Sequence, residues 1–291
     1  MSWRIVVIKN RAKLDYKMDY LIVRSDEQTS RIHLSEISTI IIENTAVSLT
    51  AYLLVELIKN KIKVIFCDEK HNPILEACGY YGSFDTSAKI RMQIKWIKQI
   101  KDEVWAEIIR AKILGQRFVL PTHAVEEKNL FLEYANSVEK GDFTNREGHA
   151  AKVYFNRLFG KDFSRSDNNT INAALDYGYG ILLSAFNREI TSMGYITQIG
   201  IHHDNMYNQF NLSCDLMEPF RPLVDKTVLN MDLKQFENEE KLKLVDILNE
   251  TVKIDNKKQF VNNAIRVYTH SVFHALNEND ISKIKFVSYE L

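Results

Sequence analysis

The sequence predicts an α+β protein, with a small β-rich N-terminal domain over residues 1–80 and a larger all-α C-terminal domain over residues 81–291. Three observations lead there. Short β-branched and aromatic runs separated by polar turns fill the N-terminal stretch. Beyond it, apolar residues recur at three- and four-residue steps, the period of an amphipathic helix. The change of period falls at Gly79, Gly82 and Ser83, which mark a hinge.

Arg4–Ile8, Tyr20–Arg24 and residues 31–34 read as strands, with a turn at Asp26-Glu27-Gln28. Ile37–Ile42 is nearly continuous in apolar residues, the pattern of a strand buried on both faces. Ser48 can cap a helix over residues 49–59, with Leu53, Leu54, Leu57 and Ile58 as its apolar stripe. Lys63–Cys67 is a further buried strand, and His71-Asn72-Pro73 a turn. Residues 87–114 then read as one long helix striped by Ile90, Ile94, Ile97, Ile100, Val104, Ile108 and Ile109. Its polar side carries Arg91, Lys95 and Lys98 on one face, either a solvated surface or a phosphate-tracking stripe. More helices are expected around residues 126–140, 144–159, 168–193, 239–250 and 258–277.

Composition narrows the function classes. Apolar residues make up 45% and charged residues 26%, the profile of a folded globular chain. Lys+Arg and Asp+Glu balance at 38 each, so a nucleic-acid role must come from local patches. Cys67, Cys78 and Cys214 lie far apart with no C-x-x-C spacing, against a disulfide framework or a cysteine zinc site and in keeping with the cytoplasm. The opening MSWRIVVIKNRAK is an apolar run broken by charges rather than a signal peptide. No apolar window approaches the roughly 18 residues of a membrane span, so no membrane partner is expected.

Chemistry concentrates in residues 200–222, GIHHDNMYNQFNLSCDLMEPFRP. The adjacent His202 and His203 can serve as ligands, but loop histidines also cap helices or face solvent. Asp215 and Glu218 stand at i,i+3 on one helix face, where like charges repel. A divalent cation between them turns that repulsion into binding. Carboxylates with a single imidazole suit Mg²⁺ or Mn²⁺ better than Zn²⁺, and such an ion polarises a phosphoryl oxygen. Another acid can come from residues 144–154. Thr144 and Glu147 have the spacing of a helix-start capping box, so Glu147 is either a cap or a ligand brought in by the fold. Gly148 in the first turn costs helix stability unless a close approach is wanted, and Ala151 and Tyr154 continue the face of Glu147.

Several stretches together resemble the CRISPR-associated integrase family, the DNA-inserting subunit of the CRISPR adaptation complex, and most closely its form in type II systems. They are the opening Ser2-Trp3-Arg4, the Glu147-Gly148-x-Ala150-Ala151-x-x-Tyr154 helix, and the stretch Asn172-Ala173-Ala174-Leu175-Asp176-Tyr177-Gly178-Tyr179. With them go Gly200-Ile201-His202-His203 and Asp215-Leu216-Met217-Glu218-Pro219-Phe220-Arg221-Pro222, followed by Asp225.

The resemblance implies a β-domain, serving dimerisation and partner contacts, ahead of a helical catalytic domain. It implies Glu147, His203 and Glu218 as catalytic metal ligands for Mg²⁺ or Mn²⁺, Asp215 as a supporting or alternative ligand, and His202 as a substitute ligand or substrate contact. The implied activity is that of a metal-dependent DNA endonuclease and integrase, joining the 3′-OH of a short foreign DNA fragment to CRISPR repeat DNA by transesterification. Arg146, Arg188 and Arg221 are expected on phosphates, and Tyr154 and Tyr177 either orient the DNA end or are core residues with a polar handle. Implied partners are a second copy in a homodimer, a small dimeric protein of ferredoxin-like fold, a ring-shaped DNA-end-binding protein and the RNA-guided effector nuclease. Three other readings compete. One is a metal-dependent nuclease that cuts branched or single-stranded DNA without joining. Another is a non-catalytic DNA scaffold using Arg91, Lys95 and Lys98. The third is a zinc hydrolase on His202 and His203, which lacks the H-x-x-x-H or H-E-x-x-H spacing such sites use.

Overall fold

The computed structural model describes all residues except 1–3, 27, 70–72, 78, 80–82, 84, 232 and 290–291. Ser2, Trp3, Glu27, the His71-Asn72 turn, Cys78 and Gly82 therefore lie outside the described residues. The chain forms two compact units, Met1–Gly82 and Ser83–Leu291.

The first unit contains β1 (Arg4–Ile8), β2 (Lys13–Lys17), β3 (Tyr20–Arg24), β4 (Thr29–His33), β5 (Ile37–Ile42), β6 (Ser48–Leu49), α1 (Ala51–Lys59), β7 (Lys63–Cys67) and β8 (Pro73–Ala77). One sheet runs β1-β5-β7-β8, with β5 parallel to both neighbours and β8 antiparallel at its edge. All six residues of β5 are buried, including the polar Ser38 and Thr39, in keeping with its nearly continuous apolar run. The other sheet is the β4-β3-β2 meander, with β6 added parallel to β2. Leu14, Leu21, Ile37, Ile40, Leu53, Leu57 and Val64 share one core between them.

Three strands of this unit escape sequence reading: β2, β6 and β8. In β2, KLDYK, only Leu14 is buried, so the flanking charges mask the period of two. In β8, Glu76 pairs with Lys63 at 2.9 Å, a polar pair inside what otherwise reads as an apolar strand. The start of α1 is also corrected. Ser48 lies in β6, and the cap is Thr50, whose Oγ1 accepts from the Leu53 N–H at 3.2 Å.

The second unit contains α2 (Thr86–Ile94), α3 (Lys98–Val119), α4 (Val125–Asn136), α5 (Arg146–Phe159), α6 (Thr170–Ser192), α7 (Asn211–Met217), α8 (Arg221–Leu229), α9 (Asn238–Asp246), β9 (Thr251–Ile254), β10 (Lys257–Phe260), α10 (Val261–Glu278) and β11 (Val287–Ser288). Helices α3 and α6 are its inner pair. Ile100, Val104, Trp105, Ile108, Ile109 and Ile113 line the buried side of α3, and Leu175, Leu182, Phe186 and Ile190 that of α6. The expectation of an all-helical second domain meets one addition, a small antiparallel sheet ordered β10-β9-β11. No helix among the described residues is long and apolar enough to cross a membrane.

The single long helix expected over residues 87–114 is two helices, broken between Ile94 and Lys98. Two side chains impose the break. Gln93 is buried, donating to the Ile196 and Ile199 carbonyls at 2.8 and 2.9 Å and accepting from the Ile196 N–H at 3.0 Å. Trp96 is also buried, donating its indole N–H to Asn277 at 2.9 Å and stacking on Tyr195 and Phe273. A continuous helix would carry Ile94 and Ile97 inward instead, yet these are 64% and 56% exposed. Arg91, Lys95 and Lys98 consequently sit on α2, at its C-cap and at the start of α3, with Lys98 bound to Asp102 at 2.7 Å. They do not form one helical stripe.

Because Thr50 and not Ser48 caps α1, Thr50→Ala should lower unfolding stability by about 1 kcal/mol in denaturant titrations. Ser48→Ala should leave it within about 0.5 kcal/mol.

Candidate active site

The site is assembled on the inner helix α3. Lys112 lies within the apolar stripe of that helix, between Ile109 and Ile113, and is 8% exposed. Its ammonium stands 2.5 Å from Glu147 Oε1 and 2.5 Å from Glu218 Oε2. Arg221 approaches the other oxygen of Glu218, with Nε–Oε1 2.9 Å. The side chain of Glu218 is 3% exposed and that of Glu147 29%, so Glu218 forms the floor and Glu147 the rim.

Glu147 is free for this contact because others cap its helix. The carboxylate of Asp142 accepts the N–H groups of Arg146 and Glu147 at 2.9 and 3.0 Å. Asn145, at φ +52°, accepts from the Gly148 N–H at 3.1 Å. The Thr144–Glu147 capping box expected from spacing is absent. Gly148 serves the same cap, since a Cβ there would lie 2.6 Å from Asn145 Oδ1.

Glu218 opens a single 3-10 turn, Glu218–Phe220, set between α7 and α8. Its prolines occupy first-turn positions, where a missing N–H is tolerated. Burial pushes the Glu218 carboxyl up, but Arg221 and Lys112 outweigh it and hold it below the usual carboxylate range. Burial likewise pushes Lys112 down, and Glu218 and Glu147 more than offset it, leaving its ammonium above its ordinary range.

Asp215, on α7, is fully buried and holds the turn that carries the histidines. Its Oδ2 accepts the N–H groups of Ile201 and His202 at 2.6 and 3.0 Å, and its Oδ1 accepts that of His203 at 3.2 Å. The same Oδ1 lies 2.5 Å from His203 Nδ1. Gly200 makes this wrap possible, because a Cβ there would clash with the His203 carbonyl and lie 2.7 Å from Asp215 Oδ2. The bond to Asp215 is the main cause that raises the His203 pKa above its ordinary value. It also leaves Nε2 as the outward nitrogen, the arrangement in which a carboxylate orients an imidazole ligand. His202 instead stacks flat on Trp105, with ring centroids 4.3 Å apart, and burial lowers its pKa.

Residues 5–252 match the family model described as CRISPR associated protein Cas1. The chain belongs to the Cas1 family. It is 37% identical over 237 residues to a CRISPR-associated endonuclease Cas1 of Neisseria meningitidis serogroup C (strain 8013), covering 79% of this chain and 76% of that protein. Among solved structures, a casposase bound to integration product aligns with a TM-score of 0.76 at 19% identity, over 96% of this chain and 92% of that one. A Cas6-RT-Cas1–Cas2 complex aligns with a TM-score of 0.76 at 17% identity, over 99% of this chain and 36% of that one.

In this Cas1 chain, two of the three expected ligands, Glu147 and Glu218, converge on one positive charge. His203 is close enough for both carboxylates to favour its charged form. Among the described residues, however, no group of three His, Cys, Asp or Glu side chains is gathered as a metal site, and Lys112 fills the space between the acids. The expectation of Asp215 as an alternative ligand is corrected, because its oxygens are taken by three backbone N–H groups and His203. His202 lies flat on Trp105, near enough to Asp215 and Glu147 for both to favour its charged form.

The expected DNA contacts divide. Arg221 lies 4.6 Å over the Tyr179 ring and is tied to Glu218, so it braces the floor of the site. Arg146 is half-buried at the start of α5, with an Nε that has no hydrogen-bond partner among the described residues. Arg188 lies on α6, paired with Glu189 at 2.9 Å. Tyr154 is fully buried, and Tyr177 is 4% exposed against Phe236, so both are core residues rather than DNA contacts.

Sequence reading missed Lys112, Trp105 and Tyr179. The signal for Lys112 was present, since a lysine interrupts the apolar period of α3. Tyr179 donates its hydroxyl to Asp225 in a closed core. Burial there pushes Asp225 up to about 6, against the bond from Tyr179 and the nearby Arg221 and Lys112 that oppose the rise.

Two outcomes follow for the support of the site. Gly200→Ala should cost about 1–3 kcal/mol of stability by overpacking, measured by denaturant unfolding. Asp225 is raised in the fold from 3.8 to about 6, so its stabilising contribution is complete below about pH 4 and is lost as the pH rises through about 6. On the order of 3 kcal/mol of stability should vanish between pH 4 and pH 8, and Asp225→Asn should remove that dependence.

Proposed function

We propose that this Cas1 chain is a divalent-metal-dependent DNA endonuclease and integrase, which inserts short foreign DNA fragments as spacers into a CRISPR array. The observation that carries the reading is the meeting of Glu147 and Glu218 on one cation at 2.5 Å each. The donor set fits a hard divalent ion. The Lys112 ammonium stands in for the positive charge, 2.5 Å from the buried Glu218 Oε2. Oxygen donors with one imidazole suit Mg²⁺ or Mn²⁺. Glu147, Glu218 and Nε2 of His203 would hold the ion, which when bound would supply Lewis acidity at phosphorus and a lowered pKa at an oxygen nucleophile.

The protein's own part is positioning. Asp215 fixes the imidazole so that only Nε2 faces outward. Arg221 pins Glu218, and Arg221 and Arg146 carry the positive charge that phosphates need. In the joining step the fragment's 3′-OH loses its proton and its oxygen bonds to the repeat phosphorus. The bond from that phosphorus to the repeat strand's own 3′ oxygen breaks, so one phosphodiester replaces another. The solved casposase is bound to an integration product, and that likeness of fold supports joining over cutting alone. The Cas1–Cas2 assembly in another solved structure supports a CRISPR adaptation partner; in the proposed assembly that partner is a small dimeric protein around which this chain works as a homodimer in the cytoplasm. The ring-shaped end-binding protein and the effector nuclease complete the proposed machinery of a type II system.

The test uses the purified chain with its small partner, a duplex bearing 3′-OH ends and a supercoiled plasmid carrying the repeat. Joined product should form with Mg²⁺ or Mn²⁺ and disappear with chelator. Glu147→Ala, His203→Ala and Glu218→Ala should each reduce joining at least about 100-fold, the scale of lost transition-state electrostatics, with duplex binding retained. Nicking without joined product would replace the integrase reading with a nuclease.

A further inference from the structure

Lys112 is a charged side chain at the centre of the site to which the proposed chemistry gives no work. A lysine buried in the apolar stripe of an inner helix needs a reason, since burial disfavours its charge. Here the reason is visible: its ammonium touches Glu147 and Glu218 at 2.5 Å each, the point a cation shared by both carboxylates would occupy.

We infer that Lys112 is a displaceable internal counter-ion, which holds Glu147 and Glu218 together in the bare protein and withdraws when a divalent ion takes its place. This rests on reading those two acids as ligands. Three features support displacement over a permanent ion pair. First, both carboxylates meet the same ammonium, Glu147 Oε1 and Glu218 Oε2 at 2.5 Å each, so the point between them is one that a single spherical ion can fill. Second, Arg221 holds the other oxygen of Glu218 at 2.9 Å, so the carboxylate keeps its position and a partner when Lys112 leaves. Third, the Lys112 side chain is 10% exposed and ends in a point charge on a flexible stem, so it reaches the surface by changing rotamers, which a forked guanidinium locked to two acids would not do.

The ammonium and a divalent ion exclude one another by space and by charge. Lys112 therefore weakens divalent-ion binding in the bare protein. A DNA phosphate at the rim gives the displaced ammonium a partner, so DNA and metal binding reinforce each other, as reciprocal linkage requires.

Calorimetric titration of the full chain with MnCl₂ tests this, comparing wild type, Lys112→Met and Glu147→Gln. Lys112→Met should bind Mn²⁺ at least tenfold more tightly than wild type, and Glu147→Gln should weaken binding. Unchanged or weaker binding by Lys112→Met, with the Glu147 dependence intact, overturns the counter-ion role. Loss of the Glu147 dependence overturns the ligand assignment itself. Lys112→Gln supplies the same comparison should the methionine variant fail to fold. Crystals of the wild type grown with Mn²⁺ give a second readout: an anomalous peak between the acids with Lys112 Nζ withdrawn supports displacement, and the same peak with Nζ still touching both carboxylates overturns it.

Discussion

Two carboxylates, Glu147 and Glu218, share a small volume beside an inner helix, and the helical unit depends on how that charge is balanced. Glu218 is 3% exposed, so its charge is tolerable only with cations in contact. Lys112 and Arg221 provide them from α3 and α8, while α5 brings Glu147 to the same point. The position of three helices is thus tied to one electrostatic knot. A packed apolar core alone would leave their relative rotation open to small slips. The knot does not, because an acid moved away from its cation is a buried unpaired charge.

The acids around the knot differ by what saturates them. Asp142 accepts two backbone N–H groups and fixes the start of α5. Asp215 accepts three and holds the histidine turn. Asp225 meets the Tyr179 hydroxyl in a closed core. Asp215, with four contacts on its two oxygens, has little left to offer an ion, whatever its place in a motif. Glu147 and Glu218 face cationic side chains instead, and these can move. Asp142 and Asp215 are thus held chiefly by backbone N–H groups and Asp225 by a phenol, whereas Glu147 and Glu218 are held by cationic side chains.

Much of this is legible in the order of the residues alone. The nearly continuous apolar run of β5 announces a doubly covered central strand, and the change from period two to period 3.6 announces the helical unit. The acids and histidines that matter stand in two short segments, because chemistry needs those residue types and little else in the fold uses them so densely. Where local pattern misleads, a tertiary partner is responsible. Spacing makes Thr144 and Glu147 a capping box, yet Asp142 and Asn145 take the cap. Periodicity joins α2 to α3, yet Gln93 and Trp96 turn inward to partners more than 100 residues away, at Ile196, Ile199 and Asn277. Charge spacing makes Asp215 a ligand, yet the N–H groups it serves lie on the turn it supports.

Sequence by itself determined the β-then-α order through its change of period, and the resemblance carried by its motifs supplied the family and implied the two acids and the histidine as ligands. Only the tertiary structure decided that Asp215 is an anchor, that His203 and not His202 is oriented by a carboxylate, and that Lys112 occupies the space between the two acids. Those assignments depend on which groups meet across the fold, and a lysine in an apolar stripe acquires a meaning only when the carboxylates it neutralises arrive from other helices.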